Sequence, residues 1–251
     1  MELELQGRVA LITGASAGIG RATARVLANE GAQTVIVARR DELLRTLHDE
    51  IITSGALAPM IIRADLTDVD EPAFIAGKVL EAYGRADILV NNAGASRSLT
   101  LTSTEAEWDE AIALNLSSVR RLSHALLPVM LTRRWGRVVN VTGSLEPPGI
   151  NGANIAKAGV HAWAKGLSRE VAAAGVTVNC VMPGRIHSEQ IDNRMYPTEQ
   201  ERNDFIRANV PAGYFGEPEQ VAYMIAFLSS ERAGYVTGQR IYVDGGMHRA
   251  I

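Results

Sequence analysis

Seven short runs rich in β-branched and other apolar residues recur along the chain, at residues 9–12, 34–37, 60–63, 88–90, 138–141, 176–181 and 240–243. Each is close to continuously apolar rather than alternating, so it needs cover on both faces, which is the demand of a parallel strand flanked by helices. The segments between them supply that cover. Leu43, Leu44, Leu47 and Ile51 return at helical spacing, as do Trp108, Ile112 and Leu116, and Val160, Ala164, Leu167 and Val171. The order predicts a single doubly wound α/β domain over 1–251, a seven-stranded parallel sheet with helices on both faces and right-handed crossovers. Ligands are expected beyond the carboxyl ends of the strands. The last connection is unusual. A polar stretch over about 187–215 precedes the helix start Gly216-Glu217-Pro218-Glu219, and it reads as an insertion covering a substrate.

Composition removes several classes of function. The 251 residues are 47% apolar and 21% charged, with a net charge of −3, which suits a globular domain and excludes disorder. No basic block offers a footprint for nucleic acid, and no apolar run approaches the roughly 20 residues that span a membrane. The single cysteine, Cys180, lies in an apolar run, and the acidic opening Met1-Glu2-Leu3-Glu4 is unlike a signal peptide. A cytoplasmic location is expected, and no metal site is.

Directly after the first run stands Thr13-Gly14-Ala15-Ser16-Ala17-Gly18-Ile19-Gly20, followed by the helix former Arg21-Ala22-Thr23-Ala24-Arg25-Val26-Leu27. Glycines at a strand-to-helix turn allow the backbone to approach a diphosphate closely, and the free N–H groups and positive end of the helix favour its charge. Roughly 20 residues past such a turn, an acid would meet the ribose 2′-hydroxyl of NAD, and an arginine the 2′-phosphate of NADP. This chain has Arg39 and Arg40, whose planar forks suit a phosphate, so NADP(H) is expected over NAD.

The spacing Gly14, Gly18, Gly20 resembles the T-G-x-x-x-G-x-G of the short-chain dehydrogenase/reductase family, and other marks follow it. They are Asn91-Asn92-Ala93-Gly94, Leu114-Asn115-Leu116, Pro183-Gly184 and Val243-Asp244-Gly245-Gly246, so the resemblance runs along essentially the whole chain. It is strongest to the 3-oxoacyl carrier protein reductases. It implies a Rossmann fold and cofactor contacts from Gly14, Ser16, Ala17, Gly18, Ile19 and Gly20, from Asp65 and Leu66 beside the adenine, and from Asn92, Ala93 and Gly94. Further contacts would come from Lys157, Pro183, Gly184, Ile186 and Ser188.

The family moves a hydride between nicotinamide and a carbonyl or secondary alcohol, helped by Ser, Tyr, Lys and Asn. The alkoxide that develops needs a proton donor, and a lysine charge draws the tyrosine pKa down from about 10. Here Lys157 matches the lysine and Asn115 the asparagine, but Ala153 stands four residues before Lys157, and no tyrosine occurs between Tyr83 and Tyr196. Where the family serine is expected the chain has Gly143, with Ser144 next and Thr142 before. Ser144 is taken as the serine and Thr142 as its substitute, in a loop some four residues shorter than usual. His187, His161, Glu146, Asn151 and Tyr196 are the residues that could stand in for the phenol, Tyr196 as part of a lid.

Three functions stay open on this reading. One is an NADP(H)-dependent oxidoreductase of small carbonyls or alcohols with an altered proton donor. Another is an NADP-binding sensor or partner subunit with impaired turnover. The third, non-redox chemistry as in the related halohydrin dehalogenases, is disfavoured because those proteins lose the glycines and keep the tyrosine. The resemblance also implies a homotetramer or homodimer, paired through helices carrying Leu122, Leu126, Val129, Trp163 and Leu167. Arg185, His187 and Arg194 are available near the site for an acidic group.

Overall fold

A computed structural model describes residues 2–96, 99–143 and 149–249. All seven expected strands form: β1 Val9–Thr13, β2 Gln33–Ala38, β3 Met60–Arg63, β4 Ile88–Asn91, β5 Gly136–Val141, β6 Val176–Pro183 and β7 Arg240–Val243. They make one parallel sheet in the order β3-β2-β1-β4-β5-β6-β7. The order reverses between β1 and β4, which opens a crevice at their carboxyl ends.

Alternate side chains of each strand divide the core in two. Val9, Leu11, Val35, Leu89, Val138 and Val178 face one side. They pack under α3 (Glu71–Tyr83), α5 (Ser118–Arg133) and α6 (Gly152–Val171). Ala10, Ile12, Ile36, Val90, Val139 and Val181 face the other, under α1 (Gly18–Asn29), α2 (Asp41–Thr53) and α8 (Pro218–Ser229). This two-sided burial is why the runs read as continuously apolar. The remaining helices are α4 (Glu105–Ile112) and α7 (Glu199–Asn209). Capping boxes fix the starts of both, with Thr104 and Glu107 on one and Thr198 and Glu201 on the other.

Two expectations are corrected. The stripe Trp108, Ile112, Leu116 is not a buried face: Ile112 is 36% exposed, while Ala111 and Leu114 are buried. A π-helical turn at Ala113–Ser117 follows α4 and rotates the later residues out of phase with the earlier ones. Leu122 and Leu126, assigned to a subunit contact, are consumed by the core of the chain itself, and Val129, Trp163 and Leu167 pack against that core partly buried. No helix among the described residues is long and apolar enough to cross a membrane.

Candidate active site

The crevice at the β1–β4 switch point is floored by the glycine turn. Gly14 takes φ +65°, and a Cβ there would stand 2.8 Å from Asn92 Nδ2 and 2.9 Å from Ala93 Cα. A Cβ on Gly20 would stand 2.4 Å from the Gly14 carbonyl oxygen, so the first turn of α1 lies directly on the loop. Gly18, at φ +53°, meets only Ser188 Cβ at 3.9 Å, so above it the cradle is open. Ala17, the N-cap, offers no side-chain acceptor, and the first turn of α1 carries no acid. The leading N–H groups and the positive end of the helix are thus left for an anion. Thr13 and Asn92 brace the turn. Thr13 Oγ1 accepts the N–H groups of Asn92 and Ala93 at 3.0 Å, and Asn92 Nδ2 donates to the carbonyls of Thr13 and Gly14 at 3.0 and 3.2 Å.

From this floor a cleft of about 470 Å³ extends both ways, within the range of roughly 300–1,000 Å³ usual for small-molecule sites. Its walls take in Gly14, Ser16, Ala17, Gly18 and Ile19, both Arg39 and Arg40, Asp65 and Leu66, Asn92, Ala93 and Gly94, and Ile186 and Ser188. The structure therefore gathers most of the expected cofactor residues into one cavity. Gly20, Lys157, Pro183 and Gly184 are not among its lining residues. Gly184 serves close approach, since a Cβ would fall 2.7 Å from Asp244 Cα. At one end Arg39 lies 3.5 Å from Asp65. Burial alone would raise the Asp65 pKa, but hydrogen bonds from the Thr67 N–H and hydroxyl and the Arg39 charge hold it below the usual value. Arg40 pairs with Glu189 across the cleft at 2.9 Å and reaches Ser16 Oγ at 3.4 Å.

At the opposite end, past Gly94, Lys157 and Asn115 meet. A Cβ on Gly94 would come within 2.8 Å of Asn115 Oδ1 and 3.7 Å of Lys157 Nζ. The π-helical turn buries Asn115, which donates to the Ala111 and Ala95 carbonyls at 2.9 and 3.3 Å. Lys157 Nζ donates to the Thr142 carbonyl at 3.3 Å, and burial draws its pKa down to about 8. Ala153, one turn earlier on α6, is buried and carries no proton.

The stand-ins for serine and tyrosine fare unequally. Ser144 and Glu146 lie outside the described residues. Thr142 is withdrawn from the role of substitute. Its hydroxyl is buried, 2.7 Å from His161 Nε2, and donates to the Val181 carbonyl at 3.3 Å. His161 belongs to that packing. Burial foremost, with the Arg240 and Lys157 charges, lowers its pKa to about 4, so it is neutral, and its Nδ1 has no hydrogen-bond partner among the described residues. Asn151 caps α6, accepting from the N–H groups of Ala153 and Asn154. Cys180 is buried as a thiol whose pKa is pushed up to about 12.

The polar stretch forms a π-helical turn, Ile191–Met195, and α7. Its His187 lines the cleft with Nδ1 2.8 Å from Asp192 Oδ1, while Tyr196 stacks into Phe205 and Phe215. Arg194, expected near the site, lines the cleft; Glu189 and Asp192 were not expected there. Their only signal in sequence is position a few residues beyond Pro183-Gly184.

Residues 14–248 match a family model described as enoyl-(acyl carrier protein) reductase. The chain is 38% identical to the 3-oxoacyl-(acyl-carrier-protein) reductase FabG of Escherichia coli K12, over 98% of this chain and 99% of the relative. It is 36% identical to FabG of Thermotoga maritima, over 98% and 99%. Among solved structures it superposes with TM-score 0.92 on an Agrobacterium tumefaciens 3-oxoacyl (acyl-carrier-protein) reductase with NADP bound, at 30% identity and covering 98% and 96% of the two chains. The same score is reached with L-sorbose reductase of Gluconobacter frateurii complexed with NADPH and L-sorbose, at 29% identity and full coverage of both.

Proposed function

The chain belongs to the short-chain dehydrogenase/reductase family, and from that premise we propose that it is an NADP(H)-dependent oxidoreductase interconverting a carbonyl and a secondary alcohol with an altered proton donor. The observation that carries this reading is the open cradle over Gly18. It has unspent helix N–H groups beneath it, two arginines at one end and Lys157 with Asn115 at the other. Relatives crystallised with NADP or NADPH support it.

The glycine turn would hold the diphosphate of the coenzyme on the N–H groups of α1, with Arg39 and Arg40 turning from Asp65 and Glu189 to the 2′-phosphate. Asp65 and Leu66 would border the adenine. Asn92, Ala93, Gly94, Ile186 and Ser188 would shape the nicotinamide end, and Lys157 would hold the adjoining sugar. Bound there, the coenzyme supplies or takes the hydride. Asn115 keeps the Ala95 loop against α4, close to Gly94, which Lys157 also approaches. Ser144 retains the family role of polarising the carbonyl.

With Ala153 in place of a phenol, the proton passes from the Lys157 ammonium to the forming alkoxide. A pKa of about 8 suits that transfer near neutrality. Replacement of a dedicated acid costs on the order of 10²–10⁴ in rate, so turnover is slow rather than absent. Residues 187–215 close over the substrate as a lid on a single domain. The lone cysteine in an apolar run favours a cytoplasmic location, and the resemblance favours a homotetramer or homodimer.

Ala153 also favours a second reading, an NADP-binding protein that has lost turnover. Fluorescence titration with NADPH and NADH, followed by NADPH oxidation against a panel of carbonyls at high protein concentration, separates the two. Tight NADPH binding with substrate-dependent oxidation is expected. Binding without oxidation gives the second reading, and no binding defeats both.

A further inference from the structure

Beyond β6 the backbone of 185–187 runs alongside Gly216, whose N–H donates to the Arg185 carbonyl and whose carbonyl accepts from the His187 N–H, both at 2.9 Å. Ile186 turns inward and is buried, so Arg185 and His187 emerge together on the opposite face. There they meet one cluster of rings. Tyr196, Phe205 and Phe215 lie with centroids 4.8–5.9 Å apart. His187 stands 5.8 Å from Phe215, and the Arg185 guanidinium 5.0 Å from Phe205 and 5.9 Å from Tyr196.

These two bases differ in one respect. His187 has its own carboxylate, Asp192, at 2.8 Å. Arg185 has no acid within ion-pair reach among the described residues; its Nε donates to Tyr196 Oη at 3.3 Å, and the rings supply the rest of its surroundings. Ring faces attract a cation but accept none of the remaining N–H bonds, so a half-buried guanidinium keeps its outer fork unmatched. Arg185 is among the residues lining a cavity of about 70 Å³. Ile186 is a wall of both this cavity and the nucleotide cleft, so the two adjoin across its side chain. Asp244 lines the same cavity, with its oxygens accepting the N–H groups of Gly246 and His248 at 2.9 and 2.8 Å. Its charge admits a monoanion more readily than a dianion.

We infer that Arg185 reads a carboxylate on the substrate, which makes the substrate an oxo-acid or hydroxy-acid with an apolar or aromatic body lying on Tyr196 and Phe205. The inference rests on the oxidoreductase reading for the word substrate, and on the geometry alone for the carboxylate. A bidentate pair with a fixed fork is the strong form of this contact, and an amide of the same shape forfeits its charge.

Calorimetric titration with 4-phenylbutanoate and with 4-phenylbutanamide tests it on the whole protein, with and without NADP. The acid is expected to bind roughly tenfold or more tightly than the amide, the value of a charge-assisted hydrogen bond. R185Q is expected to equalise the two, R185K to keep part of the preference, and R207Q, at an exposed arginine of α7 away from both cavities, to keep all of it. Equal affinities on the wild-type protein, no binding of the acid at millimolar concentration, or a preference that survives R185Q overturns the inference. So does loss of the preference in R207Q, or tighter binding of the matching phosphonate. NADPH titration of the same proteins keeps the two readings apart. Loss of carboxylate preference with NADPH binding intact is the signature expected of R185Q. A wild-type protein that prefers the acid but ignores NADPH would defeat the oxidoreductase reading and leave the carboxylate site standing.

Discussion

Removing the imidazole of His161 should flatten the acid limb of the stability curve. In the folded chain burial, aided by the Arg240 and Lys157 charges, lowers this histidine from 6.5 to about 4. Unfolding returns it to water. Between those two values the unfolded chain binds a proton that the folded chain refuses, so the contribution is complete above about pH 6.5 and is lost as pH falls through about 4. At ~1.36 kcal/mol per pH decade, the whole interval is worth about 3 kcal/mol. Carboxylates that titrate over the same range, such as Asp65, do so in wild type and variant alike and cancel in the difference. The assay is urea unfolding followed by tryptophan fluorescence at pH 7, 6, 5 and 4, for wild type and His161→Gln, a side chain that does not titrate. Wild type should lose about 3 kcal/mol more than the variant between pH 7 and 4. Loss of the contact to Thr142 adds only a constant offset. Curves that run parallel to within about 1 kcal/mol would refute the buried, neutral state assigned to this ring.

Three further outcomes follow from the cleft. Gly20→Ala drives a methyl into the Gly14 carbonyl and Asn92 amide. Nucleotide binding should be lost and stability reduced by about 1–3 kcal/mol, as seen by fluorescence titration and thermal melting. Arg39→Ala should remove most of the preference for NADPH over NADH, measured as the ratio of the two dissociation constants, while Arg45→Ala, on α2 and paired with Asp41, leaves it unchanged. Lys157 loses its charge as pH rises through about 8. NADPH affinity should therefore fall between pH 7 and 9 in wild type, whereas Lys157→Met should bind weakly with no such dependence; a matching fall in the variant would remove Lys157 from the coenzyme site.

What was legible in the chain divides by the range of the physics involved. Strands such as 34–37 and 176–181 declare themselves because burial on both faces excludes polar residues, and the glycine turn does so because backbone stands 2.4–2.9 Å from a Cβ added at Gly14 or Gly20 and excludes other side chains there. These constraints act residue by residue and leave residue-type marks. The stripe from Trp108 failed because periodicity assumes a constant turn, and the π-helical turn that carries Asn115 into the site breaks that constancy without any compositional mark. Thr142 failed for a different reason. A hydroxyl near the expected serine says nothing of its direction, and the direction is set by His161, nineteen positions away, which claims it at 2.7 Å. The Arg40–Glu189 pair spans 149 positions and joins two exposed side chains, so no local pattern announces it. The same limit applies to Arg185. The sequence offers Arg185, His187 and Arg194 alike to an acidic group, and nothing chooses among them until Gly216 fixes the alternation of 185–187 and sets Arg185 beside His187. Only the comparison between the two, one facing Asp192 and the other with no acid in reach among the described residues, marks Arg185 as the side chain left for an anion.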